Sequence, residues 1–330
     1  MRVLGIDPGT RSFDLFGMEN DQVIIADESI ESEELFEDPS LFLERVEELM
    51  PMDAVIGPSG YGIPLKSIRD ATEEDIGRMV PLDTKLAVNE GIRNVLLGMK
   101  RSGVPVWFTP GVIHLRTVPS YRKWNRFDMG TADKVCSVAL GVKDQSDRLK
   151  IPFEETSFIH VEVGYGFTAV TAVKDGRIVD GTGGTNGSLG FLSCGGMDAE
   201  LAIRLEHPVT QEILFKNGLK DFVGRDIEPE ELTDEAITLL GESIEKDVAS
   251  MLVSARETRE VLLSGRLIPY VRDELKNRLK RCAPVVRVRK PSKKAKEAAC
   301  GAYMIGEGLL GGRYRELVEN MGITARYRGY

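Results

Sequence analysis

Four cysteines and three histidines are few for a chain of 330 residues. Cys136, Cys194, Cys282 and Cys300 lie far apart and form no CxxC pair. That spacing argues against a zinc site or a disulfide framework and fits reduced thiols in a cytoplasmic protein. His114, His160 and His207 are equally scattered, so a His/Cys metal cluster is not expected. No apolar run approaches the length of a membrane span, and Met1-Arg2 leads straight into a strand-like run, so neither a membrane segment nor a signal peptide is expected. Positive charge is also short. Lys and Arg number 43 against 52 Asp and Glu, a net charge of −9, which argues against a dedicated nucleic-acid binder. The imbalance is uneven. Residues 19–50 are almost all acidic where charged, whereas 276–296 carry ten Lys and Arg and no Asp or Glu. A solvated face is the usual role of such a run, with a phosphate- or RNA-facing patch as the alternative.

What is present is an ordinary globular composition, 42% hydrophobic and 29% charged, in a chain long enough for two domains. The opening stretch Val3-Leu4-Gly5-Ile6-Asp7-Pro8-Gly9-Thr10-Arg11-Ser12 organises the rest. A short apolar strand ends in a carboxylate, and a Pro-Gly turn follows. Pro8 presets φ and Gly9 is expected to supply the positive φ of a type II turn. The backbone N–H groups of Gly9 to Ser12 would then point outward as an anion-binding concavity. Asp7 beside it can hold Mg²⁺ through oxygen.

Two more strand-like runs, 13–18 and 22–30, follow around the polar turn Glu19-Asn20-Asp21 and read as a hairpin. A helix is predicted from Pro39-Ser40, with Leu41, Leu43, Val46 and Leu49 as its buried stripe. A strand over 53–56 runs into the loop Gly57-Pro58-Ser59-Gly60-Tyr61-Gly62. A helix over 84–101, a strand over 104–109 and a helix over 131–142 complete the first half. The order then recurs: strands over 157–163, 167–173 and 177–181, helices through 197–220 and 233–256, a strand over 260–263, a helix over 269–281, a strand over 284–289 and a small-residue helix over 295–310. Two domains, 1–150 and 151–330, follow from this repetition, with the last helix free to return to the first. Three strands followed by alternating helix and strand give each half a mixed sheet of five strands.

Four segments carry the candidate chemistry. The first is the Asp7 corner. The second, Glu162-Val163-Gly164-Tyr165-Gly166-Phe167-Thr168, again places an acid at a strand end before a Gly-x-Gly turn, with a hydroxyl on Thr168. The third, Leu262-Leu263-Ser264-Gly265-Arg266, is a buried strand whose glycine turn opens a helix. The fourth is the small-residue run Glu297-Ala298-Ala299-Cys300-Gly301-Ala302, suited to close helix packing.

In this order the segments resemble the superfamily of acetate and sugar kinases, actin and the heat-shock chaperone ATPases. Gly5 to Thr10 looks like its first phosphate motif, Glu162 to Thr168 like its second, and Leu262 to Arg266 like its adenosine motif. Residues 298–308 look like its second connecting helix. The resemblance implies an α/β, duplicated ribonuclease-H-like (actin-like ATPase) fold with a cleft between the halves. It also implies ATP and Mg²⁺ as cofactors. Acetate/butyrate kinases are the nearest likeness. Residues 53–60 resemble the butyrate-kinase strand that ends in Gly-Arg-Gly-Gly, Gly130-Thr131-Ala132-Asp133-Lys134 resembles a Gly-Thr-Ser-His-Lys segment, and Gly164 to Asp180 resembles a butyrate-kinase hairpin. The whole is similar to an archaeal family described as predicted butyrate kinases.

The chain departs from that pattern at Pro58, Met129 and Glu162, where these kinases carry groups that contact the phosphoryl or the acyl substrate. The resemblance therefore carries nucleotide binding further than it carries the acceptor. It implies metal ligation by Asp7 and Glu162, and a phosphate cradle of Gly9, Thr10, Ser12, Gly164, Tyr165, Gly166 and Thr168. Ser264, Gly265 and Arg266 would lie against the adenosine, and Arg11, Arg126 and Lys134 are candidate clamps. A small carboxylate acceptor, being already ionised, needs no base. A hydroxyl acceptor would call on Asp128 or Asp133. A homodimer stays open.

Two other readings compete. A slow ATPase could act as a nucleotide-driven switch. The opening motif also resembles Holliday-junction resolvases, ribonuclease-H-like nucleases that bind two metals between carboxylates. Such a nuclease should end its fourth strand in Glu, whereas this one ends Ile56-Gly57-Pro58-Ser59.

Overall fold

The computed structural model describes residues 1–80, 87–205, 210–224 and 226–325. In the first half, β1 (Arg2–Pro8), β2 (Ser12–Glu19), β3 (Val23–Glu31), β4 (Ala54–Ile56), β5 (Lys66–Ser67) and β6 (Val106–Phe108) form one sheet in the order β3-β2-β1-β4-β6-β5. In the second, β7 (Phe158–Val163), β8 (Thr168–Lys174), β9 (Arg177–Thr182), β10 (Glu260–Ser264) and β11 (Val285–Arg287) form another, in the order β9-β8-β7-β10-β11. Each sheet is an antiparallel three-strand meander extended by two parallel strands on the edge of its first strand. The duplication read from element order is thus a duplication of topology. In each half the second and third strands are joined by the same kind of turn: Asn20 and Asp21 in one, Asp175 and Gly176 in the other, all with positive φ. Such turns match the twist of the strands they join.

The helices are α1 (Ser32–Glu37), α2 (Pro39–Glu48), α3 (Glu73–Met79), α4 (Ala87–Ser102), α5 (Ala132–Leu149), α6 (Ala199–Arg204), α7 (Leu219–Val223), α8 (Asp234–Leu252), α9 (Ile268–Leu279), α10 (Glu297–Leu309) and α11 (Arg315–Asn320). Strand alternation sorts them into layers. On β1, Leu4 and Ile6 face an outer core with Phe42 and Val46 of α2 and Leu96 of α4. Val3 faces inward, into a central core shared with α5, α10 and with Phe158 and Leu262 of the second sheet. The far side of that sheet is covered by Leu240 and Ile244 of α8 and Leu275 of α9. Helices α5 and α10 therefore lie between the two sheets. Close approach needs glycine here: a Cβ on Gly5 would sit 2.2 Å from the Ala299 carbonyl of α10.

Several expectations change. The first sheet has six strands rather than five, because Lys66–Ser67 pairs outside β6. Helices α1, α3 and α11 add to the expected set, and in place of one helix through 197–220 the described residues form α6, a 3-10 helix over Gln211–Phe215 and the start of α7, with 206–209 outside the described residues. The predicted helix start over 84–86 and His207 lie outside the described residues. In α2, Leu41 is 49% exposed and Phe42 is buried instead. The Phe42 ring meets Phe13 of β2 edge-on at 5.4 Å, and the larger ring takes the inward position.

Candidate active site

A cavity of about 210 Å³ opens at the ends of β1 and β7 and is lined from both halves. Two backbone corners meet there. In the first, Gly9 N donates to Ser12 O at 3.0 Å; in the second, Gly164 N donates to Phe167 O at 2.9 Å. The corners touch, since a Cβ on Gly166 would lie 2.8 Å from Thr10 Oγ1. Arg11 Nη1 also donates to the Tyr165 hydroxyl at 3.2 Å.

This geometry corrects the turn expected at Pro8-Gly9. Gly9 is not among the positive-φ glycines, and its N–H is spent inside the turn. Its lack of a side chain has another use: a Cβ would fall 2.2 Å from Lys296 Nζ. The amide groups left without a hydrogen-bond partner among the described residues are those of Thr10 and Arg11 in one corner and Tyr165 and Gly166 in the other.

Of the residues singled out by sequence, Asp7, Gly9, Thr10, Arg11, Asp128, Asp133, Lys134, Glu162, Gly164, Tyr165, Gly166, Gly265 and Arg266 line this cavity. Ser12, Thr168 and Ser264 lie behind its wall. Ser12 Oγ donates to Asp14 Oδ2 at 2.8 Å and accepts from Arg266 Nη2 at 3.0 Å. Ser264 Oγ bonds His160 Nε2 at 2.8 Å, and burial pushes that imidazole down to about 4, leaving it neutral. Arg126 is not brought to the site. It is exposed on the loop before α5.

The acids are held by lysines. Lys134 Nζ, in the first turn of α5, bonds Glu162 Oε1 and Asp133 Oδ2, each at 2.5 Å. Lys296 Nζ, at the N-cap of α10, bonds Asp7 Oδ2 at 2.9 Å and Asp14 Oδ2 at 3.0 Å. Burial works against both ammonium charges, but the paired carboxylates outweigh it and raise both lysines above their ordinary value. Asp7 goes the other way. Burial raises it to about 6 against the pull of Lys296, with Asp133 and Asp14 adding to the rise. Asp133 stays below the usual carboxylate range: burial pushes it up, but Lys134 and the Thr131 hydroxyl prevail. Asp128, buried with Oδ1 accepting from Gly130 N at 2.8 Å, is raised by burial. The Cys136 thiol also lines the cavity, and burial pushes it up so that it stays protonated.

Lys296 and Asp14 were not among the sequence candidates. Asp14 carried a signal, a lone acid inside the apolar run 13–18, where alternation puts it on the inner face with Phe16. Lys296 was hidden in the basic run. That run is not a uniform solvated face: Arg278 pairs with Glu245 and Glu274, Arg281 with Glu245, and Arg289 with Asp144, while Lys296 turns into the cavity. Asp27 of β3 fixes the approach to it, accepting from Ser292 Oγ and from the backbone N–H of Lys293, Lys294 and Ala295 at 2.7–3.1 Å.

Among the described residues no helix is long and apolar enough to cross a membrane. No curated protein matches the sequence significantly. Solved structures do match in fold. An acetate kinase from Entamoeba histolytica is 13% identical over 85% of this chain and 86% of its own, with a TM-score of 0.64. A propionate kinase from Francisella tularensis subsp. tularensis SCHU S4 is 14% identical over 91% and 98%, with a TM-score of 0.65. The acetate kinase of Porphyromonas gingivalis is 15% identical over 85% and 88%, with a TM-score of 0.59. The fold is the α/β actin-like ATPase fold of these kinases. Residues 5–328 match the family model described as "Protein of unknown function (DUF1464)", and the chain belongs to that family.

Proposed function

We propose that the chain is an ATP-dependent phosphotransferase of the acetate/butyrate kinase kind. It would move the γ-phosphoryl group of Mg-ATP to a small acceptor in the cleft, a short-chain carboxylate on its likeness to predicted butyrate kinases. The reading takes residues 1–150 and 151–330 as two lobes, with α10 returning onto the first. The observation that carries it is the meeting of two glycine corners at one cavity, each with a strand-tip acid and two uncommitted N–H groups. Phosphoryl transfer asks mainly for positioning and charge neutralisation, and this is what such corners offer.

The residues present suit a magnesium ion. Glu162 Oε2 and Asp14 Oδ1 are buried and have no hydrogen-bond partner among the described residues. Asp7, Asp14, Asp133 and Glu162 against Lys134 and Lys296 leave a formal charge of −2. Among the described residues no three acidic, His or Cys side chains converge to hold a metal unaided. Asp7 and Glu162 would therefore hold it together with phosphate oxygens and water, as Mg²⁺ prefers. The bound ion would supply charge neutralisation at the transferring group. Thr10, Arg11, Tyr165 and Gly166 would hold phosphate oxygens by their N–H groups, and Lys134 would neutralise charge beside them. Gly265 and Arg266 would border the adenosine.

A second reading, a slow ATPase that drives a regulatory switch, is favoured by Pro58 and Met129, buried apolar residues at positions where the resembled kinases have acceptor-side groups. Both readings are tested by resolving the products of Mg-ATP turnover over short-chain carboxylates, sugars and polyols. Acceptor-dependent ADP with a phosphorylated product is the expected result. Phosphate release that ignores every acceptor would favour the switch, and absence of ATP turnover with metal-dependent cleavage of branched DNA would favour the nuclease.

A further inference from the structure

The two lysines are arranged crosswise. Lys134 belongs to α5, which closes the first half, yet its ammonium bonds Glu162 at the tip of the second half's first strand. Lys296 caps α10, near the close of the second half, and bonds Asp7 near the tip of β1. In the duplicated topology these helices and strands are counterparts. Each half therefore lends a cation to the other half's acid.

The contact of Lys296 with Asp7 sits where the sheet sets two like charges together. The β1–β2 register sets Asp7 directly opposite Asp14, and like charges in that relation repel. Lys296 bridges them and also donates to Ser12 O at 3.3 Å, so its three donors are all engaged on the acidic corner. A lysine needed only as a counter-ion could sit behind the wall, as Asp14 does. Lys296 instead lines the cavity, and its Nζ lies against the Gly9 turn. The two arginines at this cavity are otherwise held: Arg266 on Ser12 Oγ, Arg11 on Tyr165, Glu31 and Glu228.

We propose that Lys296 is a phosphate-gripping residue and that it works with Lys134 as a crossed pair. Each ammonium passes from a strand-tip carboxylate to a phosphate oxygen when a polyphosphate and its divalent cation enter the cleft. This rests on the phosphotransferase reading in one respect, that a nucleotide polyphosphate is what enters. No covalent step is involved. The exchange leaves both lysines charged and frees the carboxylates for the cation.

The test is calorimetric binding of Mg-ATP and of magnesium tripolyphosphate to the full chain. The variants are Lys296→Met/Asp14→Asn, which removes the cation together with one buried anion, and Lys296→Arg. Thermal unfolding of each variant accompanies the titrations. The expected result is a folded double variant that binds both probes about tenfold more weakly or worse, the loss of one charge-assisted hydrogen bond, with partial recovery in Lys296→Arg. An independent measurement needs only the unmutated protein: the Nζ resonances of Lys296 and Lys134, followed by lysine-selective nitrogen NMR, should shift when Mg-ATP binds. A folded double variant with undiminished affinity, or lysine Nζ resonances that Mg-ATP leaves in place, overturns the proposal and leaves the phosphotransferase reading standing. Failure of the unmutated protein to bind Mg-ATP at all removes that reading and the proposal with it.

Discussion

The two corners share a backbone and differ in what fills it. Each has an acid at a strand tip, a glycine two residues on whose N–H closes the turn onto the third residue ahead, and two N–H groups to spare. In the second corner Glu162 lies opposite Ala169, so no like charge faces it across the strands; Lys134 reaches it from the first turn of a helix, and the second acid which that lysine bridges, Asp133, belongs to the same helix rather than to the sheet. In the first corner Asp7 faces Asp14, and the lysine between them arrives from the other end of the chain. The duplication thus repeats main-chain geometry while leaving the electrostatics unequal. The first corner is the one under tension.

That inequality can be broken at its acids. Asp7→Asn removes one of two facing charges, so the fold is expected to survive, while phosphoryl turnover should fall by about 10³-fold, roughly 4 kcal/mol of transition-state stabilisation. Steady-state turnover with Mg-ATP alongside a thermal unfolding curve checks both halves of the claim. A folded Asp7→Asn enzyme with unimpaired turnover would take Asp7 out of the chemistry and, with it, the view that the first corner dominates.

The helices behind the corners differ as well. Helix α10 meets β1 backbone to backbone at Gly5, where a Cβ would lie 2.2 Å from Ala299 O and 2.4 Å from Tyr303 N. Its counterpart α5 meets the second sheet through side chains, with a Cβ on Gly141 falling 3.1 Å from the Phe158 ring. Gly5→Ala should therefore cost about 3 kcal/mol, because main chain cannot yield. Gly141→Ala should lie within about 1 kcal/mol of neutral, since the gain in helix propensity offsets a small shift of the ring. Urea unfolding of the two variants decides it, and equal losses would mean that both helices are seated alike.

How much of this was legible follows from where each contact is made. The Asp7 corner, the Gly-x-Gly corner and both meanders are local, spelled by consecutive residues and their turns. The order of elements carried the duplication. What escaped depends on long-range register: Asp14 matters because pairing sets it against Asp7, and Lys296 because α10 is packed onto β1 from nearly 290 residues away. A basic run in the sequence does not reveal that its last member turns inward. Phe42 displaced Leu41 from the stripe of α2 for a similar reason, since its partner Phe13 is on another element. Strand β5, two residues long, is too short for any periodicity to announce it.

The comparison has a pH signature too. Asp7 is raised to about 6 in the fold, above its ordinary value of 3.8. Its contribution to stability is present in full below about pH 4 and is lost as pH rises through 6, on the order of 3 kcal/mol for the nucleotide-free protein. Denaturant unfolding between pH 4 and 7 should show this slope in the parent chain and a flatter one in Asp7→Asn. A parallel profile in the two proteins would place the tension elsewhere than at Asp7.

The smallest effect tests the route by which Lys296 reaches the first corner. Asp27 holds the preceding loop through three backbone N–H groups and the Ser292 hydroxyl, and these bonds lower it to about 2 although burial opposes them. The sign is opposite to that of Asp7: its contribution is present above about pH 4 and disappears as pH falls through 2. At neutral pH, Asp27→Ala should cost between about 1 and 2 kcal/mol, because the carboxylate is only partly buried and water replaces some of what it gives. In the second corner Lys134 is placed by α5 itself. Loosening the loop should therefore weaken Mg-ATP binding by about threefold through Lys296 alone, an effect that should vanish in a background already lacking the Lys296 ammonium. A double-mutant cycle between Asp27→Ala and Lys296→Met/Asp14→Asn, read by calorimetry, measures that coupling, and strict additivity would mean that the loop does not act through the lysine.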